Sequence, residues 1–279
     1  GPPERTARLS IAGWEIALLI AVVLLAGVIR IWGLGQKSFW VDELRAVELS
    51  THNLNQTIAQ CRDGHEPPLR YIVTHYLAVL QPREFWTRLP SFLFAVATVP
   101  LLWLLGRRLF GAATGLVAAF LLAVSPWHIL HSQDMRMYTV MMFCWVLSLL
   151  FIFAILERPE KPLPWLGLVL AHAAGFYLSY LSLFMLAAEL AVLLGVILLR
   201  LVRDPKAFPW QAYGAGLLIF SGFFGFLMAF WALPFLDLFD RYLGTALTAR
   251  AVQIEAVQSF QWMGWPGEFD ASFFGRLFD

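Results

Sequence analysis

The sequence predicts an all-α membrane protein, a polytopic transmembrane helical bundle of about seven crossings whose long first outer loop carries juxtamembrane helices. Three observations lead there. Of the 279 residues, 59% are hydrophobic and only 14% charged. Several apolar runs reach the roughly 20 residues that span a bilayer, and arginines and lysines gather in alternate loops. A net charge of +1 gives no hint of nucleic-acid binding. Cys61 and Cys144 fall in a loop and in a span, which argues against a disulfide framework.

In chain order, Gly1-Pro2 reads as the remnant of a cleaved purification tag and is set aside. The first span covers residues 11–32, rising from Arg5 and Arg8, with Glu15 close enough to its start to reach the interface. The outer loop 33–87 is too long for a turn. It holds two surface helices, one beginning near Asp42 and one over 67–80, where prolines suit a first helical turn. At about 14 residues the second is short for a crossing.

Charge decides the same way. With 67–80 on the surface, further spans follow at 89–105, 112–127, 135–156, 163–180, 181–202 and 210–236. Arg107, Arg108, Arg158, Lys161, Arg200, Arg203 and Lys206 then share the side of the basic N-terminus, which the positive-inside rule places in the cytoplasm. A crossing at 67–80 would put those clusters on the opposite side. The Asp42 loop, the 126–134 loop and everything after 236 therefore face outward. Residues 1–236 read as one module and 237–279 as an outward-facing tail, expected to begin a further C-terminal part. No repeat or low-complexity tract is visible.

Three outward constellations carry the chemistry: Asp42-Glu43, His65-Glu66-Pro67-Pro68-Leu69, and His128 with His131 to Tyr138. Carboxylates at the edge of the hydrocarbon are neither cheaply solvated nor fully buried, so something must hold their charge. Asp42 reads as the base of a membrane enzyme. Adjacent helical residues point about 100° apart, so Glu43 has a different task, orienting Arg45 or capping a backbone group. Asp134 and Arg136 enter the fourth span at head-group depth, and an arginine fork can grip two phosphate oxygens. The alternative is that Arg136 snorkels and Asp134 caps the helix. His65 and Glu66 could both reach one divalent metal ion, with Glu66 the metal candidate, or form a hydrogen-bonding pair; no ligand spacing diagnostic of a metal is present.

The order of Phe39-Trp40-Val41-Asp42-Glu43, the His65 to Leu69 turn, Arg88-Leu89-Pro90-Ser91, Gly106 to Gly111, Ser125-Pro126 and Ser132-Gln133-Asp134-Met135-Arg136-Met137-Tyr138 resembles the GT-C membrane glycosyltransferases. The nearest branch in pattern is protein-mannosyltransferase-like and aminoarabinose-transferase-like, over roughly residues 11–235. The resemblance implies transfer of a sugar from a polyprenyl-phosphate donor to a lipid, glycan or protein acceptor hydroxyl at the extracytoplasmic face, in an integral membrane protein of the bacterial plasma membrane. It makes Asp42 the catalytic base and Asp134 the second acid. Glu43, His65, His131, Arg136 and Tyr138 become the substrate- and phosphate-binding set. The chain departs from common relatives where it reads His-Glu-Pro-Pro-Leu-Arg, and at Ser179-Tyr180.

A phosphate leaves as an anion, so the site needs one base and positive charge, without the second acid that glycoside hydrolysis uses. Rival readings are a lipid-carrier flippase or transporter, which would want deep ionisable groups and internal symmetry, and a non-catalytic membrane scaffold. Deep within the bilayer, His172 and Glu189 lie equally far from the turn at Tyr180 and Leu181 and are expected to meet.

Overall fold

The computed structural model describes residues 11–81 and 83–238. Among them there is no strand. The helices are α1 (Gly13–Ile31), α2 (Val41–Ser50), α3 (Leu54–Asp63), α4 (Leu69–Leu77), α5 (Arg83–Phe110), α6 (Ala112–Ala123), α7 (Pro126–Ser132), α8 (Tyr138–Glu157), α9 (Pro162–Leu178), α10 (Ser182–Arg203) and α11 (Trp210–Ala229). By length and composition α1, α5, α8, α10 and α11 can cross a membrane, and α6 with α7 makes a sixth crossing if the bent pair is one span. At 17 residues α9 is shorter than these. The described residues up to 228 belong to one compact unit, and those from 229 to a second, helical over 232–238.

Two layers build the first unit. Ala26 of α1 packs with Val99 and Trp103 of α5 and with Ala119, Leu122 and Ala123 of α6. Ile152, Trp165, Leu193 and Phe220 knit α8 to α11. Leu105 of α5 against Val146 and Leu150 of α8 joins the layers. The α5–α6 contact is close because Gly106 faces Gly115: a Cβ on Gly115 would lie 2.6 Å from the Trp103 carbonyl oxygen and 2.8 Å from the Arg107 nitrogen. Gly111, at φ +97°, makes the turn between the two helices in a conformation that favours glycine.

Several expectations need correction. Glu15, expected near the interface, is 5% exposed and accepts from Arg107 Nε at 2.7 Å, which puts the start of α1 beside the basic end of α5. The span expected at 112–127 breaks after Ala123, and the expected loop 126–134 is largely α7, bent 58° from α6. Pro126 disfavours helical geometry at Ser125, whose side chain caps α7 instead by accepting from the His128 N–H. At the end of α6, Arg30, fully buried, donates from Nη1 to the open Ala123 O at 2.8 Å and from Nη2 at 2.9 Å to Leu122 O, which also accepts from Ser125 N–H.

The long first connection holds the two anticipated helices as α2 and α4, and also α3, capped by Asn53 accepting from Gln56 N–H at 2.9 Å. α5 begins at Arg83, several residues before the expected span. His172 and Glu189 do meet, Nε2 lying 3.1 Å from Oε2, with Ser148 donating to Glu189 Oε1 at 2.9 Å. Cys61 and Cys144 are both free.

Candidate active site

The residues around α2 converge because Glu43 binds them together. In the first turn of α2 it accepts from its own cap, Trp40 N–H, at 3.1 Å. It also accepts from Met135 N–H at 2.8 Å, and from Arg88 Nε at 3.0 Å and Nη2 at 2.6 Å. Arg88, 1% exposed, further donates to the carbonyls of Leu34, Lys37 and Ser38. This fork joins the loop before α2, the first turns of α5 and the turn leading into α8. Burial pushes the Glu43 carboxyl up, but the Arg88 guanidinium and the two backbone N–H groups more than offset this and hold it below the ordinary carboxylate value. Of the tasks expected for Glu43, the structure shows the backbone cap, at Trp40 N–H, and not the orienting of Arg45; its carboxylate is 3% exposed and committed to Arg88 and the backbone, away from a substrate-binding role.

One residue earlier, Asp42 projects to the open side. Its carboxylate pairs with Arg136, and the two side chains are 57% and 39% exposed. Arg136 Nη1 donates to the Tyr138 hydroxyl at 3.0 Å, and the Arg136 carbonyl accepts from Ser91 Oγ at 3.3 Å. Asp134 closes the turn by accepting from Arg136 N–H at 3.0 Å. Burial, and the Glu43 carboxylate within hydrogen-bond reach, push the Asp134 carboxyl above its ordinary range. His131 Nδ1 stands 4.0 Å from Asp134, its ring edge-on to Trp127 and Tyr138. Asp42, Asp134, Arg136, Tyr138 and His131 thus form one continuous cluster.

His65 and Glu66 lie on a tight turn, His65 with φ 55°. Glu66 faces Arg45 at 3.6 Å and Arg70 at 3.4 Å, and two guanidinium groups repel a cation. Among the described residues no group of three or more His, Cys, Asp or Glu side chains could hold a metal, so these residues do not fit a divalent ion at Glu66. Arg70, the last residue of the departing His-Glu-Pro-Pro-Leu-Arg stretch, is not among the expected site residues. It donates to Tyr71 Oη at 2.5 Å; burial pulls its pKa down while Glu66, Tyr138 and Asp134, all close by, oppose the shift.

Apolar cavities flank the start of α8. One, of about 580 Å³, lies between α6–α7 and α8, with Trp127, His131, Arg136 and Tyr138 at its wall. The other, of about 450 Å³, is lined by Leu69, Phe94, Met137, Val140 and Leu178. The arrangement offers an exposed carboxylate, an adjoining guanidinium and apolar space beside both.

A family model described as dolichyl-phosphate-mannose-protein mannosyltransferase matches residues 65–226, more than half of the chain. No curated protein and no solved structure matches it.

Proposed function

Because the chain belongs to the dolichyl-phosphate-mannose-protein mannosyltransferase family, and is therefore a membrane glycosyltransferase, we propose that it moves a sugar from a polyprenyl-phosphate donor to an acceptor hydroxyl in a single inverting displacement. The observation that carries this reading is the pairing of Asp42 and Arg136 at the rim of an apolar cavity. The acceptor oxygen bonds to the anomeric carbon, the bond from that carbon to the phosphate oxygen breaks, the acceptor proton passes to Asp42, and the phosphate departs as an anion beside Arg136. Positive charge placed where negative charge develops is the stabilisation such a step needs. Asp134 holds the backbone of Arg136, and Tyr138 its guanidinium. No metal takes part in this account.

Arg136 masks Asp42 by pairing with its carboxylate. The donor phosphate competes for that guanidinium and frees the base as the sugar arrives. α6–α7 and α9 count as a broken and a short crossing, which makes seven, and the basic helix ends lie in the cytoplasm, which sets the reaction at the outer face.

Asp42→Asn should lower sugar transfer about 10²- to 10⁴-fold, the usual contribution of a positioned base, while donor binding is at least as tight as in wild type, because the phosphate no longer competes with a carboxylate for Arg136, and melting temperature stays near wild type. Transfer from a panel of radiolabelled polyprenyl-phosphate sugars measures it; undiminished turnover by the variant removes Asp42 from the mechanism.

A further inference from the structure

The cavity between α6–α7 and α8 contains polar groups that the scheme above does not use. Arg30 Nη2 lies 2.9 Å from His128 Nδ1. A guanidinium can only donate, so Nδ1 must present its lone pair, and the ring proton of His128 resides on Nε2. That Nε2–H is buried and has no acceptor among the described residues, in a side chain 6% exposed that lines the cavity. Trp145, also in the wall, presents a buried indole N–H with no acceptor among the described residues. Side chains of a helix lean toward its N-terminal end, which tips Trp145 up the cavity toward the Arg136 rim.

Buried N–H groups without acceptors are costly and call for a ligand oxygen. The two nitrogens donate and cannot accept, and the lining includes Arg136 but no carboxylate. A sugar brings as many donors as acceptors and would want a carboxylate in the wall; a phosphoryl group brings acceptors alone. Arg30 adds to the case, since its buried charge meets carbonyls and His128 but, among the described residues, no carboxylate. Leu122, Met141 and Met142 supply the apolar remainder of the wall, suited to a hydrocarbon chain.

We infer that His128 Nε2–H and Trp145 Nε1–H are a donor pair that seats the phosphoryl group of an isoprenoid phosphate in this cavity, with Arg30 fixing the tautomer of His128. The inference rests on the transferase reading and makes these three residues positioning groups for its donor.

The test uses the whole chain in nanodiscs, with binding read by thermal shift and native mass spectrometry. Undecaprenyl phosphate should bind at least tenfold more tightly than undecaprenol, phosphatidylglycerol or inorganic phosphate. Trp145→Phe and His128→Phe should each weaken it about tenfold or more, as expected for a lost hydrogen bond to a charged group. His128→Gln should stay within about threefold, because its amide can accept from Arg30 and still donate. Nitrogen-15 resonances of labelled histidine should report the Nε2–H tautomer without any ligand. Wild-type affinity in Trp145→Phe together with His128→Phe, equal binding of any other probe, no binding by wild type, or an Nδ1–H tautomer would each overturn the inference; if His128→Phe does not fold, Trp145→Phe and the resonances decide it. Sugar transfer by wild type with both variants binding normally would remove this site alone. His128-dependent binding with no transfer by wild type would remove the transferase reading and leave the site.

Discussion

Asp42 and Glu43 show how much one helical step changes a carboxylate. A rotation of about 100° sends Asp42 to the open rim and Glu43 into a buried fork with Arg88. The division of labour was legible from helix geometry, but the partner was not: Arg88 lies 45 positions away, and no local spacing signals it. A separation of 98 positions hid Arg30 and His128 from each other, whereas Asp134, Arg136 and Tyr138 share a short segment and can be read together. Glu43 and Asp134 also oppose each other in pH. Glu43 is held low, so its contribution to stability is present above the ordinary Glu value, about 4.3, and lost as pH falls through its lowered one. Asp134 is held high, so the folded chain binds its proton more tightly, and stability falls as pH rises from about 4 through the raised value. Asp134→Asn keeps the acceptor for Arg136 N–H and removes the repulsion. It should therefore gain on the order of 1 kcal/mol near neutral pH, a gain that shrinks as pH falls toward 4; melting curves across pH 4–8 measure it, and a variant less stable at neutral pH would contradict the repulsion.

At the scale of elements, the apolar runs located α1, α5, α8, α10 and α11 because a bilayer demands long uninterrupted hydrophobicity. α3 escaped notice because only Thr57 and Cys61 of its ten residues are buried, leaving the Asn53 cap as its one sequence signal. The break between α6 and α7 was written in Ser125-Pro126, yet composition alone reads through it, and the buried arginine that makes the break tolerable comes from another helix. Packing between α5 and α6 depends on the absence of side chains. Gly115→Ala must push a methyl into the α5 backbone and should cost about 1–3 kcal/mol. Gly27→Ala meets nothing within 4 Å and, in mid-helix, should be neutral or stabilise by up to about 1 kcal/mol. Thermal unfolding of the two variants side by side checks this, and equal melting temperatures would deny the close approach.

At the scale of the molecule, an ion pair and an arginine hydrogen bond show which helix ends lie together. Glu15–Arg107 ties the start of α1 to the end of α5, and Arg200 Nη1 donates to Leu156 O, tying the end of α10 to that of α8. α5 and α8 run alike, since Thr139 meets Ser91 near their starts and Leu150 meets Leu105 further on. The basic residues at the ends of α5, α8 and α10 therefore share one end, and the Asp42 cluster occupies the other. With the positive-inside rule this predicts that Asn55→Cys labels with a membrane-impermeant maleimide on intact cells and Arg158→Cys only after permeabilisation. Buried Cys61 and Cys144 keep the background low, and the reverse pattern would invert the proposed orientation. A mechanical consequence follows from the two buried ion pairs. α5, about 42 Å long, is anchored by Arg88 near its first turns and by Arg107 near its last. It behaves as a mast stayed fore and aft, so the traffic of long greasy cargo past it must be accommodated by the helices rigged around it.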